Sequence, residues 1–174
     1  MTNEELIELF SEWINSLPDD TKTLQAAVDA EDTPREAKRM LVGGLSYLLR
    51  KIDIVPDYLT GVGVVDDVFV LRIAAAEAGL GDAAPEVQAL GDSLGPVKEY
   101  LGDLYGGLVK FVQGLPDDPV RGRTADKVLD DADVYKQFQR ELGDELDAYA
   151  PKPITDGDRA LREIKSFIKA KLEK

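Results

Sequence analysis

The sequence contains no cysteine and no histidine, and these two absences exclude several kinds of site. Without cysteine there are no disulfides, thiolate nucleophiles, iron–sulfur clusters or cysteine-ligated zinc sites. Without histidine the chain lacks the commonest general base and the commonest transition-metal ligand. Chemistry would have to rest on Asp, Glu, Lys, Tyr or Ser. A bound metal would have to be a hard cation with oxygen ligands, such as Mg²⁺, Ca²⁺ or Mn²⁺.

Basic residues are scarce relative to acidic ones. The chain has 21 Lys and Arg against 34 Asp and Glu, which gives a net charge of −13. Such a charge repels phosphate backbones and anionic membrane surfaces, so we expect no nucleic-acid partner. The sequence also has no uninterrupted apolar run of about 18 residues, and its N-terminus lacks the basic start and apolar core of a signal peptide. We therefore expect a cytoplasmic protein without an integral membrane span.

Apolar residues at helical spacing run through most of the chain and predict an all-α fold. The length of 174 residues, with 44% hydrophobic and 32% charged residues, predicts one folded domain over 1–174. We expect a helical bundle organised around a buried helical hairpin, formed by about 34–50 and 64–78, with Thr33 as the cap of its first helix. Capping signals and apolar spacing predict the other helices at about 2–17, 19–28, 86–115, 133–149 and 155–172, the last of them capped by Thr155 or Asp156.

The segment 87–115 has apolar residues that alternate three and four apart, which is a heptad pattern over about four repeats. Pro96 lies inside it and should kink or break the helix. One interpretation is that the apolar face packs within the chain. The other is that it binds a protein partner or a second copy of the chain.

Two octapeptides resemble each other: Trp13–Asp20 reads WINSLPDD and Phe111–Asp118 reads FVQGLPDD. An internal duplication would explain the likeness. Leu-Pro-Asp-Asp is also a general way to end one helix and cap the next, so both explanations stay open.

The most apolar stretch, Tyr47–Leu71, contains four aspartates: Asp53, Asp57, Asp66 and Asp67. A hairpin could bring these carboxylates together at one turn, where they would form a site for a hard divalent cation. The alternative is structural, because each aspartate can cap a turn or lie at the positive end of a helix. In that case Arg72, which interrupts the apolar second helix, would pair with a carboxylate and supply the counter-charge.

The same stretch carries the pattern Ile52-Asp53-Ile54-Val55-Pro56-Asp57, followed by Gly63 and Asp66-Asp67. This pattern resembles the signature of the YkvA-like bacterial family, a domain of unknown function. The resemblance covers the hairpin at about 37–79 and departs from the signature at Arg50-Lys51 and Thr60-Gly61. It implies a two-helix hairpin that is membrane-associated in some relatives, and it implies no activity.

These observations predict a soluble helical protein that is most simply a non-enzymatic interaction or scaffold module. No catalytic residue is assigned. The alternative is binding of Mg²⁺, Ca²⁺ or Mn²⁺, or a metal-dependent hydrolase, at the four aspartates of the hairpin. Association with a membrane surface is a weaker hypothesis, because the charged residues of the hairpin would be costly at bilayer depth.

Overall fold

Helices make up most of the chain, as the sequence predicts. The computed structural model describes residues 1–50, 54–55 and 62–174. The described helices are α1 (Asn3–Asp29), α2 (Arg35–Tyr47), α3 (Val65–Ala78), α4 (Pro85–Asp92), α5 (Gly95–Leu101), α6 (Leu104–Gly114), α7 (Ala125–Asp130), α8 (Ala132–Ala148) and α9 (Gly157–Leu172), with 3₁₀ helices at Gly81–Ala83 and Leu115–Asp117. The all-α class is confirmed.

Helix α3 lies at the centre of the fold. Every residue from Val65 to Ala75 is buried, because this helix carries almost no polar surface and gains most by contacting neighbours on all sides. Helix α2 packs closely along it. A Cβ added to Gly44 would lie 2.6 Å from the Cβ of Ala74, so only glycine allows this approach. The predicted hairpin of two helices is therefore present.

Helix α2 differs slightly from its predicted bounds. It ends at Tyr47, and the chain continues in a turn through Leu49 rather than in helix to 50. Its N-cap residue is Pro34, and no side chain caps it. The predicted capping by Thr33 is absent.

Helix α1 corrects the prediction that the first helix ends at Pro18. It runs unbroken to Asp29, although proline lacks the N–H that would bond to the carbonyl of Ile14. The hydroxyl of Tyr149 donates a hydrogen bond to that carbonyl at 2.5 Å. A side chain distant in sequence thus satisfies the backbone group that Pro18 leaves without its helical donor.

The predicted helix over 86–115 is three helices, α4, α5 and α6. The first break lies at Ser93-Leu94, next to Pro96 in the first turn of α5, in agreement with the predicted effect of that proline. The second break was not predicted and occurs at Gly102, whose φ is +56°. The heptad positions face the interior. Those that are buried are Val87, Leu94, Val97, Leu101, Leu108 and Leu115, and those partly buried against the core are Leu90, Leu104 and Phe111.

The two C-terminal helices lie close to their predicted bounds. Asp131 caps α8 by accepting hydrogen bonds from two backbone N–H groups, and Asp156 caps α9 in the same way with one. Buried apolar side chains from α1 through α9 form one cluster. The assignment of the whole chain to a single domain stays a prediction. Within the described ranges, none of the helices is long and apolar enough to cross a membrane.

Candidate functional site

The carboxylate of Asp66 binds Ile54 and Val55, two described residues in the connection between α2 and α3. Asp66 lies in the first turn of α3 and is 1% exposed. Its Oδ2 accepts hydrogen bonds from the hydroxyl of Tyr47 at 2.5 Å and from the backbone N–H groups of Ile54 at 3.0 Å and Val55 at 3.2 Å. The Tyr47 hydroxyl also accepts from the Ile54 N–H at 2.8 Å. These bonds attach Ile54 to both helices of the hairpin and Val55 to the start of α3.

Burial shifts the pKa of both side chains upward. It raises the pKa of Asp66 to about 6, against the opposing effect of the hydrogen bonds from Tyr47 and the Val55 and Ile54 backbone. Burial also raises the pKa of Tyr47, and the neighbouring charge of Asp66 adds to that increase. Tyr47 therefore keeps its hydroxyl proton and donates it to Asp66, whereas Asp66 changes its protonation state at about pH 6.

The four predicted metal ligands are only partly covered by the structure. Asp53 and Asp57 lie outside the described residues. Asp66 and Asp67 both lie in the first turn of α3 and are buried, a position that is compatible with the structural hypothesis and with the metal hypothesis. Within the described ranges, no group of three or more carboxylates is arranged to hold a metal ion. The four-aspartate site therefore stays a prediction.

Arg72 of α3 pairs with a carboxylate, as its position in an apolar helix predicts, and the partner is Asp20 of α1. Arg72 Nη1 lies 3.0 Å from Asp20 Oδ2, and the guanidinium lies 4.1 Å from the ring centroid of Trp13. The side chain of Arg72 is 4% exposed and that of Asp20 is 12% exposed. We call Trp13, Asp20 and Arg72 the buried clamp. Burial lowers the pKa of Arg72, and Asp20 opposes that decrease.

Arg50, which follows α2 by three residues, contacts an aspartate and an aromatic ring as Arg72 does, but closer to the surface. It forms an ion pair with Asp118, and its guanidinium lies 5.9 Å from the ring centroid of Phe111. The side chain of Asp118 is 53% exposed, and that of Arg50 is 16% exposed. We call Phe111, Asp118 and Arg50 the surface clamp.

The two clamps use equivalent positions of the two similar octapeptides. In each octapeptide the aromatic residue at the first position and the aspartate at the eighth contact the same arginine. One octapeptide contacts Arg72 of α3, and the other contacts Arg50 beyond α2. The resemblance between the octapeptides thus has a structural counterpart, which is compatible with the duplication hypothesis.

A cleft of about 410 Å³ lies between the base of the hairpin and the C-terminal end of α8. Asp67, Arg50, Arg121, Glu145 and Tyr149 are among its lining residues. Arg121 has a φ of +52°, and its Nε donates to the Leu49 carbonyl at 3.3 Å. Its guanidinium also pairs with two glutamates of α8. The cleft walls therefore carry both signs of charge, much of it already paired within the protein.

Sequence reasoning missed the residues that contact the hairpin from outside. Asp20 and Asp118 were considered only as part of the Leu-Pro-Asp-Asp pattern that ends and caps helices, and Trp13 was given no charged partner. A signal was present, because both octapeptides have an aromatic residue and an aspartate seven positions apart. The role of Tyr47 was also missed, since its contact with Asp66 joins the end of α2 to the start of α3, and no spacing in the sequence specifies that pair.

Residues 37–73 match the model of a family described as "Protein of unknown function (DUF1232)". No curated protein matches the chain, and no solved structure matches it. The matched segment includes Tyr47, Arg50, Asp66 and Arg72.

The match confirms that a family of unknown function covers the hairpin and only part of the chain, although it does not carry the YkvA-like name. The matched segment contributes the arginine of each clamp, Arg72 to the buried clamp and Arg50 to the surface clamp.

Proposed function

We propose that the protein is a non-enzymatic interaction module whose acidic surface binds a basic partner. The proposal rests on the contacts that charged side chains make in residues 37–73, which we call the family segment. Asp66 attaches Ile54 and Val55 to the start of α3. Arg72 attaches the hairpin to α1, and Arg50 attaches it to Phe111 of α6 and to Asp118. These groups serve the fold, which supports a binding role more than a catalytic one.

The described surface favours recognition by charge. Met1 is the one large hydrophobic side chain that is exposed in the described part of the chain. The apolar face of the 87–115 segment, which could have bound a partner, contacts the chain's own core. The acidic excess of 13 charges attracts basic surfaces and makes association faster at low ionic strength.

Light scattering and affinity capture would test the proposal. We expect a monomer, because the net charge opposes self-association, and we expect basic proteins to bind at low salt and to dissociate at about 0.5 M salt, where screening is strong. An unrelated helical protein of equal negative charge provides the control. If both proteins retain the same partners, binding reflects charge alone and the proposal fails.

A second candidate function is binding of Mg²⁺, Ca²⁺ or Mn²⁺ at Asp53, Asp57, Asp66 and Asp67, for regulation or hydrolysis. The observation that favours it concerns Asp66. Its Oδ1 is buried and has no hydrogen-bond donor among the described residues, and no described cation lies within ion-pair distance of this carboxylate. A divalent cation would supply the missing partner and would lower the pKa of Asp66.

Calorimetry with the three cations would test the metal hypothesis. We expect the protein to bind one of them, and the double variant Asp66→Asn/Asp67→Asn to lose that binding. The double variant Asp117→Asn/Asp118→Asn removes the same charge at the surface and should keep it. The hypothesis is wrong if no cation binds or if the first double variant binds as well as the wild type.

A further inference from the structure

The geometry points to the surface clamp as a latch on Ile54 and Val55, between the two hairpin helices, which a basic partner opens by taking Asp118 away from Arg50. This inference rests on the proposed binding of a basic partner and adds a contact residue and a consequence. The buried clamp stays closed and keeps the hairpin attached to α1. The partner therefore changes one side of the hairpin without unfolding the protein.

The two clamps differ in how accessible their aspartates are. Asp20 lies at a buried ion pair and also accepts a hydrogen bond from Ser16 at 2.9 Å. The side chain of Asp118 is 53% exposed, so a lysine or arginine of a partner could reach it from solvent. Exposed ion pairs contribute little to stability because water and salt screen them, and they open at low cost.

Arg50 connects the latch to the hairpin connection. Its guanidinium lies 5.8 Å from the ring centroid of Tyr47, and the Tyr47 hydroxyl contacts Asp66 and the Ile54 N–H. A continuous chain of contacts thus runs from Asp118 through Arg50 and Tyr47 to the backbone at Ile54. The Nε of Arg50 is buried and has no acceptor among the described residues. When Arg50 loses Asp118, its Nε therefore provides no second hydrogen bond that would hold the guanidinium in place.

Opening of the latch would also change the cleft. Leu48, Leu49 and Arg50 form part of its wall, and they follow α2 directly. Release of Arg50 lets this stretch move relative to Arg121, which binds the Leu49 carbonyl. The cleft is therefore the part of the molecule that changes shape when a partner takes Asp118.

Amide hydrogen exchange would test the latch, because the N–H groups of Ile54 and Val55 are protected by Asp66 and Tyr47. We expect Asp118→Asn to increase their exchange rates by roughly two- to fivefold, the factor expected for loss of an exposed pair. The exchange rates in α1 and α3 should stay unchanged. The matched control is Asp117→Asn, which removes the same charge from a neighbour that pairs with Arg39 and should leave Ile54 and Val55 protected.

An oligolysine peptide serves as the probe for a basic partner. We expect it to bind the wild type and to increase exchange at Ile54 and Val55 as Asp118→Asn does. Binding without a change in exchange would overturn the latch and leave the interaction module standing, whereas absence of binding would overturn both. Unchanged exchange in Asp118→Asn, an equal increase in Asp117→Asn, or an increase spread evenly over α1 and α3 would also overturn the latch.

Discussion

The buried clamp and the surface clamp consist of the same three kinds of residue, yet they should differ widely in energy. Both place an arginine of the family segment beside an aromatic ring and an aspartate of an octapeptide. In the buried clamp the guanidinium lies 4.1 Å from the Trp13 ring, and its carboxylate is nearly excluded from water. In the surface clamp the ring distance is 5.9 Å and the carboxylate is half exposed. Burial, not residue identity, sets what each pair contributes.

The prolines of the two octapeptides extend the comparison to the backbone. Each removes the N–H that would bond to the carbonyl four residues earlier. At Pro18 the Ile14 carbonyl accepts from Tyr149, and α1 continues. At Pro116 the Val112 carbonyl accepts from the Leu115 N–H, and α6 ends in a 3₁₀ helix. The same local sequence therefore continues or ends a helix according to its tertiary donor.

The largest expected effect is that of Asp20→Asn in the buried clamp. Removing the carboxylate charge leaves the Arg72 guanidinium buried without its ionic partner, which typically costs about 3–5 kcal/mol of the free energy of unfolding. Urea unfolding would measure this loss, and Trp13 is a convenient fluorescence probe because it is the single tryptophan. A loss below about 1 kcal/mol would mean that the pair is not effectively buried.

Asp66, in the segment between the two clamps, should give the fold a pH dependence. Its pKa of about 6 in the folded state exceeds the ordinary value of 3.8, so the folded protein retains a proton that the unfolded chain releases. This contribution is fully present below about pH 4 and is lost as the pH rises through about 6, a change of about 3 kcal/mol.

The variant Asp66→Asn keeps an oxygen acceptor and cannot ionise. We expect its free energy of unfolding, measured by urea titration from about pH 4 to about pH 8, to lack that decrease. Parallel pH profiles for the two proteins would contradict the raised pKa. A profile of the wild type that reverses when Mg²⁺, Ca²⁺ or Mn²⁺ is added would instead favour the metal hypothesis.

Tyr149→Phe should have an intermediate effect, because it leaves the Ile14 carbonyl without its donor. A buried acceptor that loses its hydrogen bond costs about 1–3 kcal/mol. The background Pro18→Ala provides the control, since the alanine introduced there supplies a helical N–H to the same carbonyl. We expect the cost of Tyr149→Phe to fall below about 1 kcal/mol in that background. Equal costs in the two backgrounds would show that Tyr149 does not replace the missing helical bond.

The smallest expected effect is that of Asp118→Asn in the surface clamp. Exposed pairs contribute about 0.2–1 kcal/mol at low salt, and screening reduces that contribution. Urea unfolding of the wild type and the variant should therefore differ slightly at low salt and not at all at about 1 M salt. A loss as large as that of Asp20→Asn would remove the distinction between the clamps.

The sequence predicted the hairpin well because the signals that specify it lie within the hairpin segment itself. Helix α3 is apolar apart from Asp66, Asp67, Arg72 and Glu77. Gly79 ends it in the left-handed conformation, and the family signature marks its first turn. Local signals also placed the break near Pro96 and included Asp156 as a candidate cap of α9. They failed at Pro18, where the outcome depends on the distant Tyr149, and at Gly102, where the heptad pattern continues past a glycine whose positive φ ends the helix.

The candidate site was less predictable for the same reason. Asp66 and Arg72 were recognised as charged residues in an apolar segment, which correctly indicated that they need partners. Their partners Tyr47 and Asp20 come from other helices, and nothing in the spacing of the sequence specifies those pairs. Asp53 and Asp57 lie outside the described residues, so the four-aspartate metal site stays a prediction.

Double-mutant cycles on the two clamps test the central claim most directly. One cycle combines Asp20→Asn with Arg72→Gln, and the other combines Asp118→Asn with Arg50→Gln, each measured by urea unfolding. Our account predicts a coupling free energy of about 2–3 kcal/mol for the buried clamp and below about 1 kcal/mol, decreasing with salt, for the surface clamp. Equal coupling energies, or none between Asp20 and Arg72, would contradict it.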